Sequence, residues 1–322
     1  MSSGITFGVF VPQGWKTELA SVEGAEAQWQ CAVDVAVRAE ELGFDHIWVY
    51  DHVHNVPRPA QEAVFECWTT LAALSQRTSR IGLGQMVGCT AYRNPALLAK
   101  VTSTLDVISG GRLEWGIGAG WYEQEFQAYG YEFPGARTRI EMLEDCVEIV
   151  TRMWTEGEAT YAGRHFSVAG AQCDPKPLRK PNVWIGGGGE KRTLAVVAKH
   201  ATHSNFGGSP EEFARKSAVL DGHCATIGRD PAEITRTISG EIFLRRTEAE
   251  IGGESRSFWG EPFASWSAGN LVGTPEQVVA KMQAYVDAGC RGFVPWCSDY
   301  PDAETLELFA TEVMPQFRAA AG

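Results

Sequence analysis

The residues with chemistry to offer gather at the ends of short apolar runs. Val183-Trp184-Ile185 passes into four consecutive glycines, Gly186 to Gly189, and then through Glu190-Lys191-Arg192-Thr193 into Leu194, Val197 and Ala198 at helical spacing. Glycines in such a strand-to-helix turn let the backbone approach a ligand closely. The first amides of the following helix lack partners and carry the positive end of its dipole. Lys191 and Arg192 add positive charge at the same place. A phosphate suits that arrangement, and so does a tight turn with no ligand; the glycines alone leave both open.

Similar run ends recur along the chain. Ile5 to Val11 reads as a strand ending at Pro12-Gln13-Gly14-Trp15, and His46 to Tyr50, apolar on both sides of the pleat, ends at Asp51-His52. Arg80 to Val87, Arg112 to Ile117, Thr202 to Asn205, Ile234 to Leu244 and Gly292 to Trp296 complete the set with the glycine-run strand. Between them lie helical patterns. Examples are Trp29 to Leu42 stopping at Gly43, Leu98 to Ile108 after Asn94-Pro95, Ile140 to Met153, and two capping boxes at Ser209-Pro210-Glu211-Glu212 and Thr274-Pro275-Glu276-Gln277. A closing helix is expected over Asp302 to Phe317. Residues 154–181 and 247–263 break the alternation and read as excursions, the second without a clear period.

Eight strands alternating with helices predict an α/β fold, a parallel (β/α)₈ TIM barrel with insertions forming one domain over 1–322, with a doubly wound open sheet as the alternative. In a barrel the chemistry sits at the C-terminal strand ends. Those ends carry glycine, histidine, aromatic and amide side chains, a set suited to a flat cofactor bearing a phosphate and unsuited to a metal centre or a two-carboxylate hydrolase. No metal ligand set is expected.

Composition narrows the class. The 322 residues are 44% hydrophobic and 21% charged, with a mean hydropathy of −0.17, ordinary for a globular enzyme. No run approaches the length of a membrane span. The net charge of −12 speaks against nucleic acid as partner. The eight cysteines form no C-x-x-C pair and read as reduced core residues. Met1-Ser2-Ser3-Gly4 leads straight into the first strand without the features of an export signal, so the expected compartment is the cytoplasm.

Several segments together resemble one family. Glu41-Leu42-Gly43-Phe44-Asp45, Trp48-Val49-Tyr50-Asp51-His52, Tyr92 to Ala99, Leu105 to Leu113, Gly116-Ile117-Gly118-Ala119-Gly120-Trp121-Tyr122, Ile185 to Thr193 and Leu271 to Glu276 follow the order of the luciferase-like flavin and deazaflavin oxidoreductases, in particular the branch using coenzyme F420. The resemblance implies a barrel with the cofactor at the C-terminal strand ends, often as a homodimer. It implies that His52 lies beside the reacting ring with Asp51 shaping the pocket. It also implies that a non-proline cis peptide, at or next to Met86-Val87 with the particular bond left open, backs the deazaflavin face, that Gly118 and Gly120 border the ring or tail, and that Gly187, Gly188, Gly189 and Arg192 take the phosphate.

One departure bears on the reaction. Where the sugar-phosphate dehydrogenases of that family carry a catalytic glutamate after Gly-x-Gly, this chain has Trp121, and their N-terminal active-site glutamate has no counterpart near Pro12 to Trp15. The expectation is therefore a reductase, or a dehydrogenase of an alcohol other than a sugar phosphate, moving a hydride between deazaflavin and a small apolar or aromatic substrate. Reduction from the reduced deazaflavin is favoured. His52 would manage the proton, and Trp121, with Trp15, Tyr122 and Trp296, would wall the pocket. The alternatives are a monooxygenase using reduced FMN from a separate reductase, and a deazaflavin-binding protein without turnover.

Overall fold

In the computed structural model, which describes residues 4–318, β1 (Thr6–Phe10) leads to α1 (Ala25–Glu41), β2 (His46–Val49), α2 (Cys67–Ser75), β3 (Gly82–Gln85), a two-residue β4 (Gly88–Cys89), α3 (Pro95–Ile108) and β5 (Leu113–Gly118). Next come α4 (Glu123–Ala128), α5 (Ala136–Thr155), a hairpin of β6 (Ala159–Ala162) and β7 (Ser167–Ala171), β8 (Asn182–Gly186), α6 (Thr193–His200), β9 (His203–Asn205), α7 (Pro210–Ile227) and β10 (Thr235–Leu244). The chain closes with α8 (Glu248–Ile251), α9 (Phe263–Gly269), β11 (Leu271–Gly273), α10 (Pro275–Asp287), β12 (Gly292–Cys297), α11 (Glu304–Leu308), a π turn over Phe309–Val313 and α12 (Met314–Arg318). Met1 to Ser3, part of the stretch in which no export signal was read, lie outside the described residues.

The eight strands expected from the sequence pair in parallel in the order β1-β2-β3-β5-β8-β9-β10-β12, and β12 returns to β1. That closure is a barrel and rules out the open sheet. Its strands are buried on both faces because helices cover the outside and side chains fill the inside. Both capping boxes form: Ser209 and Glu212 exchange bonds at the start of α7, and the Thr274 amide donates to Gln277 at the start of α10. The first excursion is the β6–β7 hairpin. The second holds α8, an irregular stretch and α9, and β11 then adds to the edge of β10. The aromatic stretch 121–133 contains α4. All eight cysteines are free, and all but Cys31 are buried.

The barrel interior is filled by indole rings. Trp48 and Trp184 meet edge to face with centres 4.7 Å apart, and Trp184 stacks on His203 at 4.0 Å. Room for Trp48 comes from glycine on both neighbouring strands: a Cβ at Gly8 would lie 2.3 Å from its Nε1, and one at Gly84 2.5 Å from its ring and 2.4 Å from the Glu114 carbonyl oxygen. The Glu114 carboxylate sits among these rings and accepts from the Trp184 indole (2.7 Å), Asn182 (2.9 Å) and Arg179 (2.9 Å). Burial opposes its charge, but His46 and these donors outweigh burial and hold its pKa below the usual carboxylate range. The plug leaves the mouth of the barrel as the open space.

A methyl group at position 84 has nowhere to go, because one of its neighbours is backbone. Gly84→Ala is expected to lose about 2–3 kcal/mol of stability, the upper part of the range for overpacking. The check is urea unfolding followed by tryptophan fluorescence; an unchanged midpoint would contradict this packing.

Candidate active site

The C-terminal strand ends surround a cleft of about 430 Å³. Trp15 follows β1, Tyr50 to His52 follow β2, Met86 and Val87 follow β3, and Gly118 to Tyr122 leave β5. Gly186 and Gly187 end β8, Thr193 opens α6, Asn205 ends β9, Ser239 comes from β10 and Arg139 from α5. A second groove of about 420 Å³ lies on the barrel flank between β10, β12 and α10. Its lysine, Lys281, is fully engaged by the carbonyls of Ser267, Asn270 and Val272, so the reactive side chains belong to the first cleft.

His52 is held on three sides. Its ring stacks on Trp15 with centres 4.2 Å apart and planes 3° from parallel, and it meets Trp121 edge-on at 5.9 Å. Its Nδ1 lies 2.8 Å from Oε2 of Glu125, a carboxylate in α4 with no exposed side-chain surface. The same carboxylate accepts from the amides of Val53 (2.6 Å) and His54 (2.9 Å) and from the Tyr92 hydroxyl (2.5 Å). Burial works against its charge, but the bond and charge of His52, with the Tyr92 and His54 donors, hold its pKa below the ordinary value. An ionised Glu125 accepts hydrogen bonds and donates none, so the Nδ1 of His52 carries a proton. Nε2 is then the nitrogen free to give or take a proton at the cleft.

Asp51 does different work. Both its oxygens are engaged, by the Cys89 amide (2.8 Å), by two Arg93 nitrogens (2.6 and 3.0 Å) and by the Cys67 thiol (3.1 Å). It fixes β4 against β2 and has no oxygen to spare for a proton transfer. Asp51, Glu66 and Cys67 come close enough to suggest a metal site. Arg93 already bridges the two carboxylates, reaching Glu66 at 2.8 Å, and burial pushes the Cys67 thiol well up, so the cluster is a brace built around Arg93.

The Met86–Val87 peptide is cis. Val87 reaches under the neighbouring strand ends: a Cβ at Gly118 would lie 2.6 Å from its Cγ2, and one at Gly186 2.8 Å from its Cγ1. These two glycines therefore make room for Val87 as well as for any ligand. Gly120 has φ +74°, and a Cβ there would meet Phe126 and Cys89. Trp121 is half exposed at the rim, stacked on Tyr122 at 5.2 Å and edge-on to Trp259 from the second excursion at 6.2 Å.

At the far end the glycine run divides. Gly187, with φ +116°, and Thr193 face the cleft, while Gly188 packs against Lys216, whose amine donates to the Gly207 carbonyl (2.8 Å). A Cβ at Gly189 would crowd the Thr193 hydroxyl at 2.8 Å. Arg192 turns toward Glu141 at 3.9 Å and does not line the cleft. The cleft's own cation is Arg139, a residue not marked by the sequence pattern, lying over the Phe133 ring at 3.9 Å with its buried Nε unpartnered. Glu125 and Tyr92 also escaped notice. The spacing of Glu125 in a six-residue helix carries no periodic signal, and its partner His52 is 73 residues away.

The family model described as luciferase-like monooxygenase matches residues 5–268. An F420-dependent glucose-6-phosphate dehydrogenase of Amycolatopsis mediterranei is 26% identical over 89% of this chain and 94% of its own. An F420-dependent secondary alcohol dehydrogenase in complex with an F420-acetone adduct superposes with a TM-score of 0.84 at 19% identity, covering 98% of this chain and 99% of that one. A monooxygenase from Streptomyces bottropensis gives 0.80 at 22% identity, covering 97% and 100%. At these identities the two structures are likenesses of fold.

Replacing Glu125 by Gln removes the charge that four donors converge on. Glu125→Gln is expected to cost about 2–4 kcal/mol at pH 7, the range for breaking a buried charged pair by changing one partner. Because the folded-state pKa is depressed, this stabilisation is present above the unfolded carboxylate value and is lost as pH falls through it toward the folded one. Chemical denaturation of both proteins from pH 7 to pH 3 checks this; a gap that does not narrow on acidification would count against an ionised Glu125.

Proposed function

Since the chain belongs to the luciferase-like monooxygenase family, we propose that it is a coenzyme F420-dependent oxidoreductase that reduces a small, apolar or aromatic organic substrate. The observation that carries this reading is the pairing of His52 with the buried Glu125 in a cleft that is also lined by Gly187, Thr193 and Arg139, whose buried Nε is unpartnered. A donor left without a partner inside a cleft fits an anionic ligand group, and a glycine at positive φ beside a helix start fits close backbone approach to it. Gly187, Thr193 and Arg139 would hold the cofactor's phosphate, and Val87 and Ala119 would line its ring end. When bound, the reduced deazaflavin supplies the hydride.

The side chains supply the proton and the surroundings. His52 delivers a proton from Nε2 to the substrate as the hydride arrives, and the ring is left as the neutral Nδ1–H form that Glu125 already favours. Trp15 holds the ring plane by stacking, so the proton leaves in a fixed direction. Trp121, Tyr122 and Trp259 line the rim and exclude water. Trp121 stands where the resemblance leads one to expect a carboxylate, and an indole there gives no base for abstracting a hydroxyl proton from a sugar. This supports reduction over sugar-phosphate oxidation, although curated relatives carry the glucose 6-phosphate dehydrogenase name.

Two titrations test the proposal. Coenzyme F420 is expected to bind at least about 100-fold tighter than FMN, a difference of about 2.7 kcal/mol; tighter FMN binding would replace this reading with the reduced-FMN monooxygenase. His52→Ala is expected to lower hydride transfer from reduced F420 by about 10²–10⁴-fold, the range for removing a general acid, while F420 affinity stays close to that of the parent. Unchanged transfer would remove His52 from the mechanism.

A further inference from the structure

Lys16, in the loop after β1, takes no part in the proton or phosphate arrangement. It is only 8% exposed, and its ammonium nitrogen lies among four aromatic rings, 4.0 Å from the centre of Trp296, 4.3 Å from Phe258, 5.4 Å from Tyr50 and 5.7 Å from Trp15. Its hydrogen bonds among the described residues are made by its backbone alone. The two carboxylates that act on it do so through space. Glu18 is spent on the amides of Gln13, Gly14 and Lys16, and the Oε2 of Glu241 takes the Trp266 indole and the Ser298 hydroxyl.

Ring faces attract a cation but replace an oxygen acceptor poorly, so the N–H groups of this largely buried ammonium are left without a protein hydrogen-bond acceptor. Burial accordingly pulls the Lys16 pKa down to about 8, against the pull of Glu241 and Glu18. The amine also lies close to the chemistry. Trp15, one wall of its cage, stacks on His52; Tyr50, another wall, packs on Trp15 at 4.1 Å; and Glu241 follows the cleft residue Ser239 by two positions on β10. Phe258 comes from the irregular stretch between α8 and α9 and covers the amine without bonding to it.

We propose that Lys16 is the oxygen anchor of the substrate. A flat apolar molecule takes the place of Phe258 between the cage rings and sets a carbonyl or carboxylate oxygen on the ammonium, with the rest of the molecule extending past Trp15 toward His52. Calling this ligand the substrate rests on the function proposed above; the binding itself does not.

The test uses three planar probes of one framework, cinnamate, cinnamamide and β-methylstyrene, titrated without cofactor and read by quenching of the cage tryptophans. The parent protein is expected to bind at least one of the two oxygenated probes about tenfold or more tighter than the hydrocarbon, about 1.4 kcal/mol. Lys16→Met is expected to erase that preference and Lys16→Arg to keep it for cinnamate. Loss confined to cinnamate assigns the anchor to carboxylates, and loss of both to carbonyl oxygen generally. A parent protein that binds all three alike overturns the proposal without any variant, and so does a preference that survives in a folded Lys16→Met. Titrating the same proteins with F420 separates the two readings: failure of F420 to bind the parent overturns the cofactor assignment and leaves the probe result standing.

Discussion

The candidate site depends on one buried carboxylate. Glu125 gathers the His52 imidazole, two successive amides of the loop after β2 and the Tyr92 hydroxyl onto two oxygens. Such charge-assisted bonds are short and strong, and in a space without water each polarises the next. The loop after β2, the turn before α3 and the short α4 are thereby bound to one another through a single side chain. The orientation of His52 is a by-product of that convergence. A histidine tied only to solvent would sample several rotamers; this one is clamped between an indole face and an anion.

A second carboxylate one residue before His52 does the complementary job. Asp51 neutralises Arg93 and carries the Cys89 amide, so adjacent residues divide the labour between scaffold and chemistry. The division follows from their partners just beyond the end of β2, Arg93 and the Cys89 amide for Asp51 and Glu125 for His52. The barrel floor obeys the same logic on a larger scale. Trp48 and Trp184 fill the interior, Glu114 satisfies the Trp184 indole, and glycines at 8 and 84 concede the volume. The mouth is left as the space in which a ligand can be held.

Much of this was legible in the amino-acid order, and the illegible parts share a cause. Strands such as β1, β2 and β8 show as apolar runs bounded by turn residues, because a strand covered on both faces favours apolar side chains on both. The strand β9, His203-Ser204-Asn205, is marked only by its place in the alternation. Ser209 and Thr274 mark helix starts through local bonds that any reader of four residues can find. The cis peptide falls where the resemblance put one, at Met86–Val87, and His52 lines the cleft beyond the end of β2. By contrast α4, α8, α9 and β11 are too short to establish a period. Glu125, Lys16 and Arg139 matter through partners brought together only by folding, and nothing in their immediate neighbours announces it. The strand-to-helix turn from Gly186 to Gly189 was legible, but the split between Gly187 facing the cleft and Arg192 facing Glu141 is a matter of side-chain direction at a helix start.

The contact of Val87 with Gly118 and Gly186 has a consequence for how this cleft can diverge. Three strand ends share one small volume, filled by two methyl groups from β3 and vacated by two hydrogens, one on β5 and one on β8. Neither glycine can take a side chain alone, since its added carbon would lie 2.6 or 2.8 Å from a Val87 methyl. A smaller residue at 87 would free both glycines at once and deepen the cleft where a flat ring would rest. Changes in the cleft's depth are therefore inherited as a correlated triplet, whereas changes at its aromatic rim, where Trp121 and Trp259 stand half in solvent, can be made one residue at a time.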